Sequence, residues 1–230
     1  MGVNSSSAGR GRRRYDSPLR DQQARQTRRA IVAAATRLFI ARGYAGTSLA
    51  DIAADASVAR PTAFAAFGSK AALLQEVVDQ ALAGDDEPVP VAERPWFRPV
   101  REGRTPEAVL HAYAEVCRVI GGRAADVFEV VRQAADEGPE LAALWETTQR
   151  NRRAGAAMVI DRFEELTPLP QGLDHEHAVD VVWMFNDPAH YRSLVRTRGW
   201  SEQEYTTWIA DHLHHALAEP RRAVGSGATP

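Results

Sequence analysis

The chain has 230 residues, of which 44% are hydrophobic and 25% charged, the profile of an ordinary globular protein. No run of ~18 or more apolar residues exists to span a membrane, and the Arg-rich start carries no apolar stretch for a signal peptide. Cys117 is the only cysteine, which excludes an internal disulfide framework and a cysteine-based zinc site, so the cytoplasm is the expected compartment. The net charge of −2 hides an asymmetry: residues 1–83 hold eleven Arg and one Lys against six acids, residues 84–230 sixteen Arg against twenty-four acids. A basic front on an acidic rear points to a polyanionic partner for the front alone.

Residues 1–20 form a Ser/Gly/Arg tail with little apolar surface to offset the entropy of ordering, and are expected to be disordered. Ile31, Ala34, Ala35, Leu38 and Phe39 then follow helical spacing, and Gly43 is placed to end that helix. A second helix opens at Ser48, where Ser48-x-x-Asp51 reads as a capping box; it buries Leu49, Ile52 and Ala53 and stops near Ala56-Ser57-Val58. A third runs from about Arg60 to Phe67, with Pro61 in its first turn. After Gly68-Ser69 a fourth starts at Lys70 and buries Leu73, Leu74, Val77, Val78 and Ala81. The head therefore occupies residues 21–83.

Residues 84–104 are rich in proline and acid and lack periodicity; they are read as a connector whose Trp96-Phe97 pair docks on the body. The body, residues 105–218, begins at Thr105-Pro106, an N-cap followed by proline at the first helical position. One helix is expected to reach about Ile120 and another to run from about Arg123 to Ala135, separated by Gly121-Gly122. A long helix follows Gly138-Pro139 to about Leu166, and another spans about His175 to Asn186. The last starts at Ser201, where Ser201-x-x-Glu204 is a full capping box, and carries the stripe Tyr205, Trp208, Ile209, His212, Leu213, Ala216 and Leu217. Residues 219–230 read as a flexible tail. With no alternating pattern and no repeat, the fold class is all-α.

Three short helices with a tight break between the second and third make the unit that sets a recognition helix in the major groove, whose width fits one α-helix and whose base edges carry a readable code. The third helix suits that role: Arg60 and Thr62 offer hydrogen bonds, small Ala63, Ala65 and Ala66 permit close approach, and Phe64 is placed to touch a sugar or a thymine methyl.

The stretch Arg29–Leu82 resembles the DNA-binding head of the tetracycline-repressor (TetR) family. The matching residues are Ala30-Ile31, Ala34-Ala35, Leu38-Phe39, Gly43-Tyr44, Thr47-Ser48-Leu49, Asp51-Ile52-Ala53, Val58-Ala59-Arg60-Pro61-Thr62, Phe64 and Phe67-Gly68-Ser69-Lys70-Ala71-Ala72-Leu73-Leu74. The resemblance implies a homodimeric repressor of nine or ten helices, binding a palindromic DNA operator and released by a small-molecule effector. It places Thr47, Ser48, Ala59, Arg60, Pro61, Thr62, Phe64 and Lys70 at DNA. Arg60 is the first choice for bidentate readout of guanine, with a salt bridge to Asp55 as the competing account. Lys70, at a helix N-terminus, is assigned a phosphate. Three residues depart from the family: Ser57 stands in the turn where glycine is usual, and Phe64 and Ala66 lack the polar atoms that commonly reach phosphate. The tail arginines are the candidates to replace those contacts, in the minor groove or on the backbone.

In this family the last two long helices pair with their twofold copies, which places a dimer interface on Val179, Val182, Trp183, Tyr205, Trp208, Ile209 and His212; closing the monomer core is the alternative use of the same stripes. Pocket candidates are His111, Tyr113, Cys117, Phe128, Trp145, Gln149, Arg152 and Met158, apolar and aromatic walls with a few polar handles. No glycine-rich phosphate loop, nucleophile elbow or His-Glu-x-x-His motif occurs, so no enzyme, metal or cofactor is expected. Asp174-His175-Glu176-His177 is the most ligand-like cluster, but neighbouring positions on a helix point different ways.

Overall fold

In a computed structural model, which describes residues 18–218, the apolar spacings of the front third close into one helical unit. Residues 1–17 and 219–230, most of the two stretches read as tails, lie outside the described residues. Helix α1 (Pro18–Arg42) presents Ile31, Ala34, Ala35 and Phe39 to Ile52 of α2 (Leu49–Asp55), Ala63 of α3 (Arg60–Phe67) and Leu73 and Leu74 of α4 (Lys70–Ala83), and all of these are buried. Each large aliphatic side chain contributes about 1.5–3 kcal/mol by leaving water. No strand occurs among the described residues.

The body comprises α5 (Arg98–Glu102), α6 (Pro106–Ala134), α7 (Pro139–Glu164), α8 (His175–Phe185), α9 (Pro188–Tyr191) and α10 (Glu202–Ala218), with a π-helical turn at Arg192–Thr197. Leu110, Tyr113, Val116, Ile160, Phe163, Val182, Tyr205 and Leu213 fill its main core. The head's core does not stop at the head: Val77 and Val78 of α4 join Ala124, Val127, Phe128 and Val131 of α6 and Leu141 and Leu144 of α7 in one cluster. Head and body thus share apolar packing rather than meeting through a loose hinge.

Several boundaries differ from the sequence reading. Helix α1 begins at Pro18, within the stretch expected to be tail; its polar first half is tied to the rest of the chain through Arg28 and Arg29. Gly121-Gly122 break nothing, and α6 runs unbroken for 29 residues. The cause is a crossing: a Cβ on Gly121 would stand 2.6 Å from the Cβ of Tyr191. The glycine is there so that α9 can approach, and the surrounding helix is strong enough to carry a poor helix former.

The connector is ordered as well. The Arg94 guanidinium donates to the carbonyls of Val89 (3.0 Å) and Glu87 (2.9 Å) and to both oxygens of Asp85 (2.8 and 2.6 Å), and the residue is 5% exposed. One buried side chain therefore staples residues 85–94 into a strap. Beyond it Phe97 and Val100 are buried in the body core, so the Trp96-Phe97 pair does dock there.

Candidate DNA-binding head and effector cavity

The head's geometry begins at its caps. Ser48 Oγ accepts from Asp51 N (3.1 Å) while Asp51 Oδ2 accepts from Ser48 N (3.0 Å), which completes the capping box and satisfies two free donors at the start of α2. The Ser48 hydroxyl, donating to Asp51 Oδ2 (2.6 Å), and then the Ser48 backbone N–H hold the Asp51 carboxyl below the usual carboxylate range. After α2 the chain turns through Ser57 at φ 56°, the one described non-glycine residue in left-handed backbone. Val58 N bonds back to Ala53 O (2.9 Å), and α3 follows at once.

Helix α3 is anchored by one fully buried residue, Ala63, and turns Ala59, Arg60, Pro61, Thr62, Phe64 and Ala65 to solvent. Phe64 is 60% exposed, an apolar ring that the monomer leaves uncovered. Arg60 makes no ion pair among the described residues; its expected competitor, Asp55, is taken by Arg37 at 2.6 Å. The rear of α3 is braced by Arg28, which donates to Ala66 O (2.6 Å) and Glu76 (3.0 Å) and lies 4.2 Å over the Phe67 ring. No motif points to Arg28, because its three partners lie 38 to 48 residues away.

Two of the expected phosphate contacts sit differently. Thr47 is buried, with its hydroxyl shared between Gly43 O (2.9 Å) and Leu38 O (3.2 Å), so only Ser48 of that pair faces out. Thr47 turns inward because the α1–α2 link needs a donor for carbonyls left free at the end of α1. Lys70 is half-buried; its Nζ donates to Tyr44 O (2.8 Å) and Thr47 O (3.0 Å) and stands 3.9 Å over the Tyr44 ring. Burial draws its pKa down. Two of three ammonium donors thus fasten the loop before α2, and the third remains for an anion.

The body holds a cavity of about 670 Å³ between the end of α4, the strap, α6, α7 and the α8–α9 junction, a size typical of small-molecule sites. Of the residues read as pocket candidates, Tyr113, Cys117, Phe128, Arg152 and Met158 line it. His111 does not: it lies on the solvent face of α6. Trp145 packs against the core shared by head and body, and Gln149 stands behind the wall, its Oε1 accepting from Arg152 (2.6 Å). Sequence reasoning missed Thr148, Asn151, Asn186 and residues 85–92 of the strap; the strap's signal, an acidic run followed by Pro88 and Pro90, points in sequence only to a connector.

At the deep end Arg152 Nε donates to Asn186 Oδ1 (3.1 Å), and Asn186 Nδ2 donates to the Tyr113 hydroxyl (2.7 Å). Arg152 also reaches Trp183 O (2.9 Å) and Asp187 (3.2 Å). Desolvation lowers the pKa of Arg152, with Asp187 opposing it; desolvation raises Tyr113 and pushes the Cys117 thiol up to about 12, so both stay neutral. At the mouth, Arg29 of α1 grips Asp86 of the strap with two bonds (2.7 and 2.8 Å). A head residue thereby holds a residue of the cavity wall.

Four of the seven residues expected at a dimer face are covered within the chain itself. Val179, Val182, Tyr205 and Ile209 are buried in the chain's own core, since α8 is covered by α7 and α10. The monomer core is the use these stripes serve. Trp183 and Trp208 are half-buried and His212 is exposed. They lie on α8 and α10 beside Phe185, which meets Trp208 edge-on at 5.8 Å, and Met184, which is 59% exposed. Trp200 adds a further edge contact to Trp208 at 6.2 Å. The Asp174–His177 cluster splits into pairs, His177 with Asp174 (2.8 Å) and His175 with Glu164 (2.6 Å). No described helix is long and apolar enough to cross a membrane.

Residues 31–77 match the sequence model of a family described as bacterial regulatory proteins, tetR family. Over those residues the chain is similar to the head of that family. Solved structures with the same fold extend the likeness over the body. FadR from Bacillus subtilis, in complex with stearoyl-CoA, is 17% identical with TM-score 0.65, covering 80% of this chain and 96% of that one. NalD, the secondary repressor of a multidrug efflux pump in Pseudomonas aeruginosa, is 19% identical with TM-score 0.65, covering 88% and 100%. A TetR transcriptional regulator from Chloroflexus aurantiacus is 18% identical with TM-score 0.64, covering 85% and 98%. No curated protein sequence matches the chain. Those structures share this chain's fold, a small helical head on a helical body, over 80–88% of its length.

Proposed function

We propose that this chain is a cytoplasmic, ligand-responsive repressor that binds a palindromic operator as a homodimer and leaves it when a small molecule fills the body cavity. The observation that carries the reading is the path of α4. Its first residue, Lys70, fastens the loop before α2, and its last residues, Leu82 and Ala83, belong to the cavity wall. One helix therefore touches both the DNA-facing unit and the effector space, and Arg29–Asp86 ties the same two regions a second time.

At DNA, Arg60, Thr62 and Phe64 read bases, Ala59 and Pro61 allow close approach, and Ser48 and Lys70 take phosphates. The tail arginines supply the contacts that Phe64 and Ala66 do not make. Dimerisation uses Trp183, Trp208 and His212, joined by Met184 and Trp200. Effector binding releases DNA only insofar as the ligand prefers the head spacing that does not fit the operator. The related regulator structures, one solved with stearoyl-CoA and one named as an efflux-pump repressor, support a small-molecule signal of this kind.

Selection from a random duplex library tests the reading. The expected product is a palindrome bound by two chains, and protection patterns would show two half-sites. An enriched sequence without twofold symmetry, or no enrichment, would overturn it. With the operator in hand, Arg29→Ala should leave operator affinity within about threefold, since its partner Asp86 lies outside the DNA face, while reducing the response to effector.

A further inference from the structure

The cavity's two ends differ in chemistry. At the deep end Tyr113 is 3% exposed; its oxygen accepts from Asn186, and its own O–H meets no acceptor among the described residues. Burial keeps it a phenol, hence a donor. The neighbouring Arg152 adds little net charge: its donors are engaged by Asn186, Gln149 and Trp183 O, and Asp187 stands 3.2 Å away. A buried donor without an acceptor costs free energy, and this one faces the cavity.

The mouth is acidic. Glu76, Asp79, Asp85, Asp86 and Glu87 line the cavity, against Arg152 as the only lining cation among the described residues. Three of these carboxylates are held by arginines: Glu76 by Arg28, Asp85 by Arg94 and Asp86 by Arg29. Asp79 accepts only from the neutral Gln75 amide (2.9 Å), and the Glu87 carboxylate, which feels Arg29 at longer range, makes no ion pair among the described residues. Between the two ends the wall is apolar, with Phe97, Val116, Ile120 and Phe128.

We propose that the effector is a lipophilic amine, its protonated nitrogen held at the mouth by Asp79 and Glu87, its apolar body along Phe97 and Phe128, and a hydrogen-bond acceptor meeting the Tyr113 hydroxyl. This rests on the reading of the cavity as the effector site. A carboxylate-bearing amphiphile of the same size enters against the Asp79 carboxylate, which no cation pairs, and against Glu87, which Arg29 offsets only in part.

Calorimetry on the full chain without DNA tests the class, using decylamine, decanol and decanoate below their aggregation limits. Decylammonium should bind about tenfold tighter than decanol, the size of one ion contact of partly exposed groups, and decanoate should bind weakest. In Asp79→Asn/Glu87→Gln the order should collapse to within about threefold. A hydroxyl added to the far end of decylamine should improve binding to the wild type and not to Tyr113→Phe. Decanoate binding as tightly as decylammonium, or no binding by any of the three, overturns the proposal. The operator complex separates the two readings. If decylammonium binds but the complex does not respond, the repressor reading fails and the amine class stands. If the complex is released by decanoate instead, the amine class fails and the repressor reading stands.

Discussion

The head and the body are built from helices of similar quality, yet they keep their information at different sequence distances. In the head the starts of α2, α3 and α4 are written locally: Ser48 with Asp51, Pro61 in the first turn of α3, Ser69 accepting from Ala72 N at the start of α4. In the body the decisive contacts join distant residues, as when Gly121 makes room for Tyr191 or Arg118 pairs with Glu202 84 positions on. A local signal is legible in a sequence because helix periodicity and capping fix which residues meet. A distant contact has no such rule. The same contrast governs what mutations should do.

The largest effect is expected at the face proposed to meet a second copy. Trp208→Glu places a charge in an aromatic cluster and should give a monomer that no longer binds operator, read by light scattering and anisotropy. Because Trp208 is half-buried, Met184→Glu is the sharper variant: at 59% exposure Met184 has little to lose within the monomer. An unchanged dimer in both variants would remove this face from the interface, and a monomeric wild type would leave the head without a reason to read a palindrome.

Next come the two adjacent glycines of α6, which should respond with opposite signs. A Cβ at Gly121 falls 2.6 Å from Tyr191 Cβ, so Gly121→Leu should cost about 3 kcal/mol or more in denaturant unfolding. At Gly122 the nearest atom is the Tyr191 hydroxyl at 3.4 Å, ordinary contact. Gly122→Ala should therefore gain up to about 1 kcal/mol from helix propensity. Equal and small effects at both would mean that α9 does not cross α6 this closely.

This pair also measures how far the sequence could be read. Gly-Gly looked like a break because propensity is a local quantity, and the override came from a helix 70 residues later. The dimer stripe misled in the same way. Val179, Val182, Tyr205 and Ile209 have the spacing of an interface, and only the placement of α7 and α10 shows them covered from within. Tyr113, Cys117, Phe128, Arg152 and Met158 were legible as cavity wall, since polar atoms on apolar helical faces stand out. The strap was not, because Arg94 closes it through backbone carbonyls that any sequence would offer.

Within the head, Arg60→Ala tests whether readout is as local as the fold. It should lower affinity for the selected operator by about 1–3 kcal/mol and relax the preference at one base pair per half-site, leaving random duplex almost unaffected. Its exposure and lack of an ion pair mean that little stability is at stake. Equal losses on operator and random DNA would reassign Arg60 to phosphate.

The smallest effect is the most local one, at the turn between α2 and α3. Ser57 holds φ at 56°, where an L side chain crowds its own backbone and glycine does not. Its side chain makes no hydrogen bond among the described residues, and it is exposed, so nothing in the fold offsets that strain. Ser57→Gly relieves the strain but widens the freedom of the unfolded chain, and the two terms oppose. With a left-handed cost of about 1–2 kcal/mol and an entropic cost of about 0.5–1 kcal/mol, the net should be a gain of about 0.5–1 kcal/mol. Thermal unfolding should show a rise of a few degrees with operator preference unchanged. A loss of stability would mean that the serine side chain stabilises the turn. A gain with altered operator preference would mean that the strain sets the angle at which α3 is presented.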